Sequence, residues 1–191
     1  MMKRVVGFAM ALLCVGLLSS CSLLPHPASF YDDDEQVAAG QMQHIADAVK
    51  DHDAAALKKL FSPSAREKAT DLDSGLAYFL SAFPSGPVTW KTEGTGDTGD
   101  DEFFKHDLEL FAFYEVSANG KKYQVHFDYI SRNDFHPNEV GIYALGIEPY
   151  DPDPYTSSGA LKPFYEWSRQ FDIDETSHAA TGKPGVYVPQ D

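Results

Sequence analysis

Residues 104–129 read FKHDLELFAFYEVSANGKKYQVHFDY, and this stretch decides the fold. Its apolar residues recur at every second position, the period of a strand and not the 3.6 of a helix. Phe104, His106, Leu108, Leu110, Ala112, Tyr114 and Val116 share one parity, while Lys105, Asp107, Glu109 and Glu115 take the other. Asn119-Gly120 follows, and both residues accept the positive φ angles of a type I′ turn. On the return strand Tyr123, Val125, Phe127 and Tyr129 alternate with Gln124, His126 and Asp128. The stretch predicts an antiparallel hairpin with one apolar face, leaving Gln124, His126 and Asp128 on the solvent side.

Outward from the hairpin, GIYALGI (residues 141–147) predicts a further strand, more apolar and so more central. Upstream, Val88, Trp90 and Thr92 alternate in a first strand, and GTGDTGDDE (residues 94–102) is expected to be a glycine- and aspartate-rich loop. Before that the period is helical. Ala38, Met42, Ile45 and Val49 form one stripe over residues 36–50, and Leu57, Leu60 and Phe61 the inner face of a second helix. Leu72, Leu76, Phe79 and Phe83 mark a third, closed by Pro84-Ser85-Gly86-Pro87. Ser62-Pro63 suits a helix cap and first position between them. A final helix is expected within residues 158–171, with Leu161, Phe164, Tyr165, Trp167 and Phe171, followed by a loose tail over residues 173–191. Helices followed by an antiparallel sheet of four strands is an α+β plan.

The N-terminus carries targeting chemistry. Lys3 and Arg4 precede an apolar stretch over residues 5–18, shorter than the roughly 20 residues needed to span a bilayer. Leu18-Ser19-Ser20-Cys21 then resembles the lipobox of bacterial lipoproteins, in which the cysteine thiol receives a diacylglyceryl group and small residues admit the peptidase. The expected layout is a signal peptide over residues 1–20, a tether over 21–35 with two prolines and an acidic run, a domain over 36–172, and the tail. The only other cysteine, Cys14, leaves with the signal, so Cys21 is the sole thiol of the mature chain and no internal disulfide can form. The expected location is the extracytoplasmic face of a bacterial cell membrane, held through lipid at Cys21.

Charge narrows the partners. Fifteen Lys+Arg face 29 Asp+Glu, a net charge of −14 that becomes −16 once Lys3 and Arg4 are lost. Such a chain is repelled by nucleic acid. A 13% share of aromatic residues argues for a packed core.

The segment IADAVKDHDAAALKKLFSPSA (residues 45–65) resembles the opening of NTF2-like, cystatin-type α+β domains. DLDSGLAYFLSAF (71–83), the Trp90 strand, YEVSANGKKYQVHFDY (114–129) and NEVGIYALGI (138–147) resemble the DUF5104 family of uncharacterised bacterial lipoproteins. The resemblance covers residues 36–170 and implies N-terminal helices packed on a curved antiparallel sheet, an envelope location and no known activity.

A site has to be argued from residues, since NTF2-like domains host both enzymes and binding modules. His106 falls in register with the apolar parity, and Tyr114, Tyr129 and Tyr143 could line a pocket between sheet and helix. His126 and Asp128, two apart on one strand, have the wrong parity for that pocket. The seven histidines show no zinc spacing, and the acidic stretches at 71–73 and 97–102 do not match a calcium loop. No nucleophile elbow or phosphate loop is present, and no cofactor is expected. The leading expectation is non-enzymatic binding of a small ligand or an envelope protein. A hydrolase or isomerase using His106 or a buried aspartate is the alternative, and self-association through the outer sheet face, where Phe111 and Phe113 interrupt the polar series, is the third.

Overall fold

The computed structural model describes residues 30–83, 87–102 and 104–189. The expected signal peptide over 1–20, Cys21, the tether as far as residue 29 and the 84–86 turn lie outside the described residues. The chain's contacts divide it at Asp33, and residues from Asp34 onward form one unit.

Helix α1 spans Phe30–Lys50 and starts six residues before the expected boundary, taking in the last part of the expected tether. Asp34 and Glu35 lie near its start, where negative charge is favoured by the helix dipole. The expected stripe is buried: Ala38 and Ile45 are fully covered, with Met42 and Val49 beside them. Helix α2 (Ala54–Leu60) begins at Asp53, whose carboxylate accepts from the Ala56 N–H at 2.8 Å. Helix α3 (Pro63–Lys68) begins at buried Ser62, whose hydroxyl accepts from the Ala65 N–H at 3.0 Å. Helix α4 (Leu72–Ala82) buries Leu72, Leu76, Phe79 and Leu80.

Five strands follow: β1 (Val88–Glu102), β2 (Lys105–Ala118), β3 (Lys121–Asn133), β4 (Gly141–Pro149) and β5 (Gly185–Val186), adjacent in that order. The first four pair antiparallel, whereas β5 runs parallel to β4. The hairpin turn is where it was expected, with Asn119 and Gly120 at φ +48° and +75° and Ala118 opposite Lys121. Register shifts between Thr92 and Gly94, Leu108 and Glu109, and Asp128 and Tyr129 bend the sheet into a curved, unclosed form.

Three expectations from the sequence are corrected. Residues 94–102, expected as a loop, are the distal half of β1, in continuous register with β2 from Gly94 opposite Phe113 to Glu102 opposite Lys105. Glycine and aspartate are poor strand formers alone, and β2 supplies the ladder that holds them. The tail is not loose: Ile173 and His178 are buried, Ile173 bridges to Ala180, and β5 joins the sheet. The expected last helix shortens to α5 (Pro163–Ser168), because Gly159 at φ +82° and the Tyr155–Leu161 bridge take up the preceding residues in a turn.

The core lies between α1–α4 and the sheet face that carries Ala112, Tyr114, Val125 and Phe127, all 1% exposed or less. The opposite face is covered by the chain's own residues 150–189, with Phe164 fully buried on it. Gly146 permits that cover, since a Cβ there would stand 2.7 Å from both the Phe164 and Trp167 rings.

Candidate functional site

Beneath this cover lies a layer of buried polar side chains. His126 and Asp128 project from β3 on the parity expected, but that parity does not face solvent: they are 1% and 2% exposed. Their expected exposure is corrected because α5 lies over them. The His126 ring stacks near Phe113 at 4.3 Å and meets Trp167 and Phe164 edge-on at 6.0 and 6.5 Å. His126 Nε2 and Asp128 Oδ2 are 2.9 Å apart, and His126 Nδ1 is buried with no hydrogen-bond partner. Glu109 on β2 is 4% exposed, and its Oε2 has no partner either. Burial pushes the Glu109 carboxyl up to about 8, helped by the negative charges of Asp128, Asp172 and Asp107 and opposed by a hydrogen bond from the Ile173 backbone.

A second polar group fastens the C-terminal segment. Asp107 Oδ2 lies 2.7 Å from His178 Nδ1, the Phe135 ring stacks on His178 at 3.7 Å, and Asn133 Nδ2 donates to the His178 carbonyl at 2.7 Å. The hydrogen bond to Asp107 raises the His178 imidazole above its ordinary value. Two residues on, the Ala180 N–H donates to Glu139 Oε2 at 2.8 Å.

Two cavities are of interest. The larger, 720 Å³, is a groove between the start of α4 (Asp71, Leu72, Ser74), α5 (Pro163, Trp167) and the last described residues, notably Lys183 and Tyr187. The smaller, 380 Å³, is bounded by Thr98, Gly99 and Asp100 of β1, Asp107 of β2, and Asp172, Ile173 and Glu175. The residues expected to line a pocket line neither of them. His106 sits at the end of the β1–β2 hairpin, half exposed, with its ring against Asp101 and its backbone N–H donating to Asp134 at 3.0 Å. Tyr114 is a core side chain stacked on Phe127 at 5.9 Å. Tyr143 is 2% exposed and donates to the Ala180 carbonyl at 3.4 Å. Tyr129 is half buried in the same core.

Glu109 has the polar parity of β2, shared with Lys105, Asp107 and Glu115, so nothing in the sequence pattern marks it as buried. One signal of the cover was available: Phe164, Tyr165, Trp167 and Phe171 form an aromatic cluster too apolar to stand in water. Among the described residues no group of three or more His, Cys, Asp and Glu is placed to hold a metal ion. No described helix is long and apolar enough to cross a membrane.

Residues 44–153 match the model of a family described as a domain of unknown function, DUF5104. The match runs from within α1 to just beyond β4, and so ends before the segment that covers the second sheet face. No curated protein matches the chain.

Proposed function

The chain belongs to the DUF5104 family, and from that premise we propose that it is a lipid-anchored cell-envelope protein whose domain binds a small ligand without transforming it. The groove carries this reading: 720 Å³ is within the range of small-molecule sites, which run to about 300–1,000 Å³, and its walls combine the Trp167 and Tyr187 rings with the polar side chains of Thr70, Asp71, Ser74 and Lys183. Lys183 is its one cationic side chain, and the Trp167 and Tyr187 rings, 5.2 Å apart, supply apolar wall. Neither buried acid–base pair, His126 with Asp128 nor His178 with Asp107, lines this groove, and a general base must come within hydrogen-bond reach of the proton it takes. This supports binding over catalysis. The packing of α1–α4 on one face of a bulged antiparallel sheet supports an NTF2-like plan. Of the two phenylalanines considered for self-association, Phe113 lies against His126 and Tyr165 of the same chain, while Phe111 is 37% exposed.

Ligand occupancy is tested by native mass spectrometry of the full-length chain isolated from membranes. A bound small molecule is expected, lost on Trp167→Ala and Lys183→Glu; unliganded protein throughout would overturn the binding reading. The anchor rests on the lipobox alone and has its own test. Cys21→Ser is expected to give uncleaved, unlipidated precursor, and normal processing with membrane retention of that variant would refute the anchor.

A further inference from the structure

Strand β1 is longer than the core requires. Val88, Trp90 and Gly96 are its partly buried residues, and residues 97–102 are exposed throughout. It is the outermost strand of the sheet, and among the described residues no backbone-to-backbone hydrogen bond reaches its outer edge, although the Asp100 and Asp101 N–H groups donate to the Asp107 and Asp100 carboxylates at 2.9 and 2.8 Å. Such an edge is a ready template for another strand. Gly94, Gly96 and Gly99 thin the distal half. At Gly96 the space of a Cβ is already filled by the Phe111 ring, 2.2 Å from where that atom would stand. Glycine within a strand marks places where another backbone can come close.

The charges on this edge are one-sided. Lys91 is its only lysine or arginine and is already paired with Glu93 and Glu115 at 3.0 and 3.2 Å, whereas the distal half carries Asp97, Asp100, Asp101 and Glu102, of which Asp101 meets His106 and Glu102 lies 3.5 Å from His178. The 380 Å³ cavity opens beside this same half, and it is walled by Asp100, Asp107, Asp172 and Glu175; no lysine or arginine lines it, and His178 is bonded to Asp107 at 2.7 Å. A second copy of the chain would bring like charge against like charge, which costs affinity; a cationic strand would not.

We propose that the outer edge of β1 docks an extended, lysine- or arginine-bearing segment of a partner protein, one of whose cationic side chains enters the cavity bounded by Asp100, Asp107, Asp172 and Glu175. The main-chain ladder supplies affinity and the acidic cavity supplies selectivity, as in other strand-addition interfaces. This surface is separate from the ligand groove, so either can fail without the other.

The test uses the full-length chain and a peptide of about eight alternating lysine and threonine residues, long enough for one strand. Fluorescence anisotropy is expected to show binding, with amide exchange slowed across residues 94–102. A peptide N-methylated at alternate amides, and one with glutamate in place of lysine, are each expected to bind at least about tenfold more weakly. Asp97→Lys and Glu175→Lys, both at exposed positions, are expected to weaken the lysine peptide to a similar degree. Equal binding of the N-methylated peptide would reduce the interaction to bulk charge and overturn the proposal. So would absence of protection at 94–102, or self-pairing of the chain through that edge.

Discussion

Glu109→Gln is expected to stabilise the protein at pH 8 while leaving it close to the parent at pH 4.5. Glu109 is 4% exposed, and burial with three nearby carboxylates raises its pKa from 4.5 to about 8. The folded state therefore holds a proton there that the unfolded chain releases above pH 4.5. Between the two values the unfolded state binds fewer protons, so stability falls as pH rises and levels off above the folded pKa. The interval corresponds to roughly 5 kcal/mol at about 1.4 kcal/mol per pH unit, an upper figure because side chains and water relax around a buried charge. Glutamine keeps the shape and never ionises. A gap of a few kcal/mol is expected at pH 8, equivalent to several degrees of Tm for a domain of this size. Glu148, raised to about 7, and His178, raised by Asp107, lose stability in the same direction, but both are present in parent and variant. The parent-minus-variant difference thus isolates Glu109. Urea denaturation at pH 4.5 and pH 8 measures it, and a gap that stays constant with pH would show that Glu109 is not held protonated.

The elements that were legible in the sequence are those whose period and punctuation agree. Ala38, Met42, Ile45 and Val49 predict α1 because nothing else places four apolar residues on one stripe, and Asn119-Gly120 fixes the β2–β3 register because few other pairs take two positive φ angles. Residues 94–102 were illegible for a converse reason. Their composition favours a turn, and the strand exists only because Phe111, Leu110 and Glu109 of β2 lie opposite Gly96, Asp97 and Thr98. Local propensity was overruled by a partner distant in sequence.

Parity told which residues of β3 share a face but not what that face meets. Gln124, His126 and Asp128 read as solvent-facing on the assumption that a polar series marks water, whereas each is 5% exposed or less. The missing information sat forty residues away. Tyr165 donates to Gln124 Oε1 at 2.6 Å, and Phe164 and Trp167 close over His126. A short helix of six residues preceded by a turn has too little periodicity to announce where it docks. Tyr114 and Tyr143, expected to line a pocket, fill the core instead and are among the largest fully buried side chains.

Phe164→Ala is expected to cost about 3–5 kcal/mol and to unlock the buried polar layer. Phe164 is fully buried, with Tyr187 at 5.2 Å, Tyr165 at 5.8 Å, Trp167 at 6.1 Å and His126 at 6.5 Å from its ring. Its edge fills the space over Gly146, so truncation leaves a cavity floored by bare backbone. Collapse is hindered because the aromatic neighbours are themselves held, Trp167 by Phe171 at 5.1 Å and Tyr165 by its bond to Gln124. A loss of this size is a large share of the roughly 5–15 kcal/mol by which domains are stable. The variant also admits water to His126, whose Nδ1 has no partner in the intact protein. Imidazole modification by diethyl pyrocarbonate, followed by peptide mass mapping, is expected to leave His126 untouched in the parent and to label it in the variant. Phe104→Ala supplies the contrast, since that ring is 92% exposed and its loss is expected to change stability by less than about 0.5 kcal/mol. If Phe164→Ala melted like Phe104→Ala and His126 stayed unreactive, the C-terminal segment would not be the lid over this face.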